Sequence, residues 1–255
     1  MFEFSDPQRM AIILIAGVFG GFVRGYSGFG FALAAMPILT LALLPAAAVP
    51  SVFPLECAIG LLTLPSEWRH VDLRVLKWLA LGAVVGTPVG LTVLTLVPAE
   101  IMRLLLGLAV AVAAFRAWRG ERDVLATRAP NLAAIGFLSG CLNGSTAMSG
   151  PPVIVSLLGS NMPMLSARAT LIAFIAMSAS FGIALSIARG SYSAEIWWVG
   201  LLMAPAAAVG CGLGLVTFAN MPRRIYRSVS LALLTMAMSI AIVTAGLAVW
   251  TKAVA

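Results

Sequence analysis

The sequence predicts an all-α polytopic membrane protein built from two inverted repeats of about five membrane segments each, with broken or re-entrant helices at the start of each repeat. Three observations predict it. The composition is too apolar for a soluble domain, polar breaks divide the chain into two series of apolar segments around a basic linker, and a glycine-rich break occurs once in each series. Of 255 residues, 61% are hydrophobic and 10% charged, against roughly a quarter charged in soluble domains. Sixteen basic and nine acidic side chains are too few to cover a water-soluble body of this size. A helical span takes about 20 residues, so the length allows at most roughly ten crossings with short connections and leaves little for a soluble catalytic or nucleic-acid-binding domain. The net charge of +7 therefore reads as membrane topology through the positive-inside rule, and the partners it implies are a lipid bilayer and no nucleic acid.

The segments follow in order. Met1-Phe2-Glu3-Phe4-Ser5-Asp6 is acidic and lacks the basic region of a cleaved signal peptide, so the apolar run 10–24 reads as a retained first span. Runs 29–44, 47–64, 75–97 and 100–118 complete a first repeat, residues 1–118. A basic linker, 119–130, joins it to a second repeat, 131–255, with runs 131–142, 151–159, 165–188, 195–218 and 228–250. Pro37, Pro45, Pro50 and Pro151-Pro152 mark span starts or kinks, and the tryptophans sit near span ends, as interfacial anchors do.

A slide of 115 residues lays Gly21–Ile38 on Gly136–Val153, with Gly21/Gly136, Gly25/Gly140 and Pro37/Pro152 coincident. A slide of 124 lays Gly86–Arg103 on Gly210–Arg227, with Gly86/Gly210, Gly90/Gly214 and Pro98/Pro222 coincident. An odd number of crossings per repeat inverts the second relative to the first. With the linker arginines in the cytoplasm, the turn after Pro222 also falls inside and carries Arg223, Arg224 and Arg227, whereas its counterpart after Pro98 carries only Arg103. That asymmetry is what inverted repeats require.

Both repeats open with a glycine-rich break, Gly20–Gly30 and Gly140–Pro152, preceded by glycines at i, i+4, i+8 (Gly17-Gly21-Gly25 and Gly136-Gly140-Gly144). Such faces permit close helix approach, and paired discontinuous helices build substrate sites in transporters. Freed backbone N–H groups at a following helix start attract anions. Ser27, Asn143, Ser145, Thr146 and Ser149 supply neutral donors, with the competing reading that their side chains cap helix ends. Arg24 stands in the first break, either as an anion-binding guanidinium or snorkelling to an interface. Arg168 opens a later span and has the same two readings. Glu56 is the acid set deepest in an apolar segment. It is a candidate proton carrier, since an apolar site favours a neutral carboxyl, or a structural partner for Arg24 or Arg168.

The three cysteines form no CxxC pair, and the single histidine, His70, lies in a charged stretch; the expectation is no metal and no cofactor. No phosphate loop, HExxH motif or nucleophile elbow is present, which disfavours ATP-driven transport by this chain alone and an intramembrane enzyme. At the paired breaks, Gly21–Pro37 with its Gly-Tyr-Ser-Gly-Phe-Gly-Phe core and Gly136–Pro152, and in Pro50-Ser51 and Ser166-Ala167-Arg168-Ala169, the sequence resembles the TauE/SafE family of sulfite and organosulfur-anion transporters. The resemblance implies an inverted-repeat carrier of the bacterial inner (plasma) membrane that exports a small sulfur anion. It carries over Ser27, Gly28 and Gly30 of the first break and Asn143, Gly144, Ser145 and Ser149 of the second. A passive anion channel, an importer of the same fold and a membrane subunit without transport are the alternatives. A homodimer is the expected assembly.

Overall fold

The computed structural model describes residues 6–98, 129–160 and 162–220, with positions 101, 102, 108 and 115. These residues form α1 Pro7–Ser27, α2 Phe31–Ala42, α3 Pro45–Glu67, α4 Leu73–Leu96, α5 Ala129–Thr146, α6 Gly150–Gly159, α7 Met164–Ala188 and α8 Ala194–Asn220. No strand occurs among the described residues. Five stretches are long and apolar enough to cross a membrane: Pro7–Ser27, Pro45–His70, Leu73–Leu96, Leu165–Ala188 and Ala194–Thr217. The chain is a multi-pass membrane protein. The predicted segment 228–250, the linker arginines and the Pro222 turn lie outside the described residues, as does almost all of 100–118.

Helix starts follow local chemistry. Asp6 accepts from the N–H of Gln8 at 3.0 Å, and Pro7 opens α1, where its missing N–H costs nothing. Asp72 accepts from Arg74 and Val75 at 2.9 and 3.1 Å to open α4. The first helix thus begins before the predicted residue 10. A larger difference falls at the second break. Asn143-Gly144-Ser145-Thr146, expected within the break, form the last turn of α5. Ser145 and Thr146 return their hydroxyls to the carbonyls of Cys141 and Leu142, both at 2.7 Å, so these side chains are compatible with helix up to Thr146. Arg24 likewise lies on the last turn of α1, before the break, which is reduced to Gly28-Phe29-Gly30.

Glycine faces decide the packing. A methyl group on Gly21 would lie 2.2 Å from the Ala207 carbonyl oxygen, and one on Gly25 would lie 2.2 Å from that of Cys211. The reverse face is as close: Gly210 would meet Val18 O at 2.1 Å and Gly214 would meet Phe22 O at 2.3 Å. Carbon–oxygen contacts normally need about 3.3 Å, so these backbones touch only because no Cβ intervenes. The pairs rise together along both helices, which makes α1 and α8 parallel. Gly82, Gly86 and Gly90 of α4 interleave in the same way with Gly136, Gly140 and Gly144 of α5, again in parallel. Each series of four helices therefore contributes its first helix to the fourth helix of the other. Between these two pairs α3 and α7 cross antiparallel: Gly60 faces Ala176, Cys57 Sγ lies 3.2 Å from Ser180 Oγ, and Gly182 faces Phe53.

Helix α2 folds back along α1, with Gly20 against Phe31 and Ala35. It is buried continuously from Phe31 to Thr40, as a helix apolar all round must be. One core surrounds α2 and α3; a second joins α4, α5, α6 and α7 through Leu79, Leu132, Val153, Leu157 and Phe174.

Candidate functional site

The last turn of α1 ends at Ser27, and Gly28 follows in the left-handed region with φ 82°, its N–H bonded to Arg24 O at 2.8 Å. The last turn of α5 ends at Thr146. Ala147 follows with φ 59°, its N–H bonded to Asn143 O at 2.9 Å. The two breaks share a conformation, although in the second an alanine holds the strained position that glycine takes in the first. Ser27 and Thr146 are 119 residues apart, so this correspondence is one helical turn longer than the slide of 115. It pairs Gly17, Gly21 and Gly25 with Gly136, Gly140 and Gly144. It also pairs Arg24 with Asn143, Ala32 with Pro151 and Glu56 with Ile175.

Those last three pairs define the asymmetry of the site. Arg24 and Glu56 are 2% and 5% exposed. Glu56 Oε1 accepts from the Ala32 N–H, in the first turn of α2, at 3.1 Å. Glu56 Oε2 stands 3.7 Å from Arg24 Nη1, and neither this oxygen nor Nη1 or Nη2 of Arg24 makes a hydrogen bond. Between the two partners that the sequence left open for Glu56, the structure selects Arg24. In the second break Pro151 has no N–H to give and Ile175 has no oxygen to receive it. Asn143 instead donates to the Ser178 carbonyl at 3.0 Å.

The breaks meet. One small cleft is lined by Gly30, Ala32, Leu33, Glu56, Ala147, Met148, Ser149, Gly150 and Ile175, residues of both breaks with α3 and α7. Of the predicted site residues, Gly30, Glu56 and Ser149 line it, and Arg24 contacts it through Glu56. Arg168 reaches the first break at Gly28, where a methyl group would lie 3.1 Å from its Nε.

Other predicted residues are engaged elsewhere. Ser27 Oγ is 2.6 and 2.5 Å from the carbonyls of Val23 and Phe29, and accepts from the Phe29 N–H at 3.3 Å. Gly144 faces Thr87, Gly90 and Leu91 of α4. Ser145 and Thr146 close their own helix. Sequence reasoning missed the Ala32 N–H, Ile175 and Met148, none of which carries a polar side chain to signal it. It also missed Ser139, whose hydroxyl donates to the Ser149 carbonyl across the break.

Comparison with known proteins identifies the family. A family model described as Sulfite exporter TauE/SafE matches residues 13–242. A curated relative from Cupriavidus necator, named as a probable sulfite/organosulfonate exporter TauE, is 26% identical over 202 residues, covering 76% of this chain and 78% of the relative. No solved structure matches the chain. The match along most of its length shows that the chain belongs to the TauE/SafE sulfite exporter family.

Proposed function

We propose, with membership of the TauE/SafE family as the premise, that the chain is a secondary carrier that exports sulfite or a small organosulfonate. The substrate site is an alternating-access site between the two helix breaks. The observation that carries this reading is Arg24: a guanidinium 2% exposed, beside the start of a buried helix, with hydrogen-bonding capacity left at both terminal nitrogens. A planar fork of donors suits an oxyanion, and the first turn of α2 adds backbone N–H groups and the positive end of a helix dipole. Asn143, Ser149 and Arg168 are the further polar groups placed around the breaks. Ser27, Gly28, Gly144, Ser145 and Thr146 support the site by shaping the helix ends and the contacts behind them.

The cleft encloses only about 10 Å³, near the lower limit for one water. An anion of four heavy atoms enters only if helices move, which favours a carrier over an open pore. The helix directions support inverted repeats, 1–118 and 131–255, joined by the basic linker 119–130. Helices α3 and α7 run antiparallel, while α1 follows α8 and α5 follows α4.

Proteoliposomes containing the purified chain test the proposal. Sulfite or sulfonate flux should saturate with concentration, and Arg24→Ala should reduce it about 100-fold or more, the loss expected for a buried charge-assisted contact. Non-saturating flux would make the protein a channel, flux in the inward direction only would make it an importer, and absence of any sulfur-anion flux would sink the reading.

A further inference from the structure

We propose that Glu56 is a built-in competitor of the transported anion: its carboxylate occupies the anion's place between Arg24 and the start of α2, and the anion binds as that carboxylate leaves or is neutralised. This rests on the reading of Arg24 as an anion ligand. Three observations converge on it. The carboxylate engages both anion-attracting elements at once, the Ala32 N–H at 3.1 Å and the Arg24 guanidinium at 3.7 Å. It does so incompletely, because Oε2 and both terminal nitrogens of Arg24 remain without hydrogen bonds in a buried site. A fixed structural ion pair would be expected to close those bonds. Finally, the corresponding place at the other break holds Pro151 and Ile175, so the backbone donor and the acid are absent together. The acid belongs with the anion-binding helix start, not with helix breaks in general.

The ionisable groups at this break are few. Arg24 of α1 faces Glu56. Arg168 of α7 lies against Gly28, and Cys211 of α8 abuts Gly25. The rest of the cleft, from α2, the second break and α7, consists of Gly30, Ala32, Leu33, Ala147, Met148, Ser149, Gly150 and Ile175, and contributes no titrating side chain. With the carboxylate in place, the charge of Arg24 is balanced by Glu56. A second negative charge within about 4 Å is repelled strongly there.

The test uses the full-length protein in detergent and methanesulfonate as probe, because a sulfonate keeps its charge between about pH 5 and 8 whereas sulfite does not. Glu56→Gln keeps an oxygen to accept the Ala32 N–H, removes the charge, and turns an amide NH2 instead of an acceptor oxygen toward Arg24. The expected result is that Glu56→Gln binds methanesulfonate at least about tenfold tighter than wild type at neutral pH. Methanesulfonate should also raise the melting temperature of the Gln variant more than that of wild type. Equal or weaker binding by Glu56→Gln overturns the competitor role while leaving Arg24 as an anion ligand. Failure of wild type and variant alike to bind either methanesulfonate or sulfite overturns the underlying reading and this proposal with it.

Discussion

Replacing Arg24 and Glu56 by the residues that stand in their place at the other break, Arg24→Asn and Glu56→Ile, separates what the pair does for folding from what it does for transport. At 3.7 Å, two unit charges attract by about 4.5 kcal/mol for an effective dielectric of about 20. Desolvation offsets most of that, so the pair adds little net stability. Removing one partner is different, because it strands the other charge in a buried site at a cost of about 3–5 kcal/mol. Either single substitution should therefore lower the melting temperature in detergent by roughly 6–20 °C, taking about 2–4 °C per kcal/mol. The double variant should recover most of that loss, since Asn143 and Ile175 already occupy the equivalent positions with a neutral set of contacts. It should stay short of wild type by about 1–3 kcal/mol, because the Ala32 N–H is left without its Glu56 acceptor. That restored protein should move no sulfur anion in proteoliposomes. Single-variant effects that add within about 0.5 kcal/mol would refute the coupling. Transport by the double variant would refute the placement of the anion at Arg24.

Three further outcomes follow from the packing and the caps. Gly25→Ala puts a carbon 2.2 Å from the Cys211 carbonyl oxygen; separating α1 from α8 by the missing ångström or so should cost about 1–3 kcal/mol, read as a lower melting temperature together with lost transport. The left-handed residues of the two breaks should respond in opposite directions. Ala147→Gly should be neutral or stabilise by up to about 1 kcal/mol, whereas Gly28→Ala should destabilise, since its methyl would meet both a φ of 82° and Arg168 Nε at 3.1 Å; thermal melts of both check this. Asp72→Ala removes the acceptor for Arg74 and Val75 at the start of α4. It should cost about 1 kcal/mol and leave transport unchanged, because it lies away from both breaks.

Much of this protein was legible in its sequence because the bilayer imposes rules on each segment separately. A helix rises 1.5 Å per residue and must be apolar for about 20 residues, so spans such as Leu73–Leu96 are visible from hydropathy alone. For the same reason Arg24 and Glu56 stand out: charge inside an apolar segment is costly wherever the segment packs. The glycines at four-residue intervals likewise marked the faces that later proved to touch.

The tertiary structure decided which faces meet and in what register. A glycine spacing of four looks the same after a shift of four, so slides of 115 and 119 both lay glycines on glycines. Only the shared turn at Gly28 and Ala147 distinguishes them. That one-turn choice moved Arg24 opposite Asn143 and Glu56 opposite Ile175, and revealed a site charged on one side and neutral on the other. Contact between α1 and α8, or between Glu56 and an N–H of α2, joins residues distant in the chain and depends on backbone position instead of side-chain type. No local pattern records it. The sequence by itself determined a membrane-spanning helical chain with two glycine-rich breaks and a few misplaced charges; only the folded arrangement decided that Arg24, Glu56 and the start of α2 form one anion-sized place.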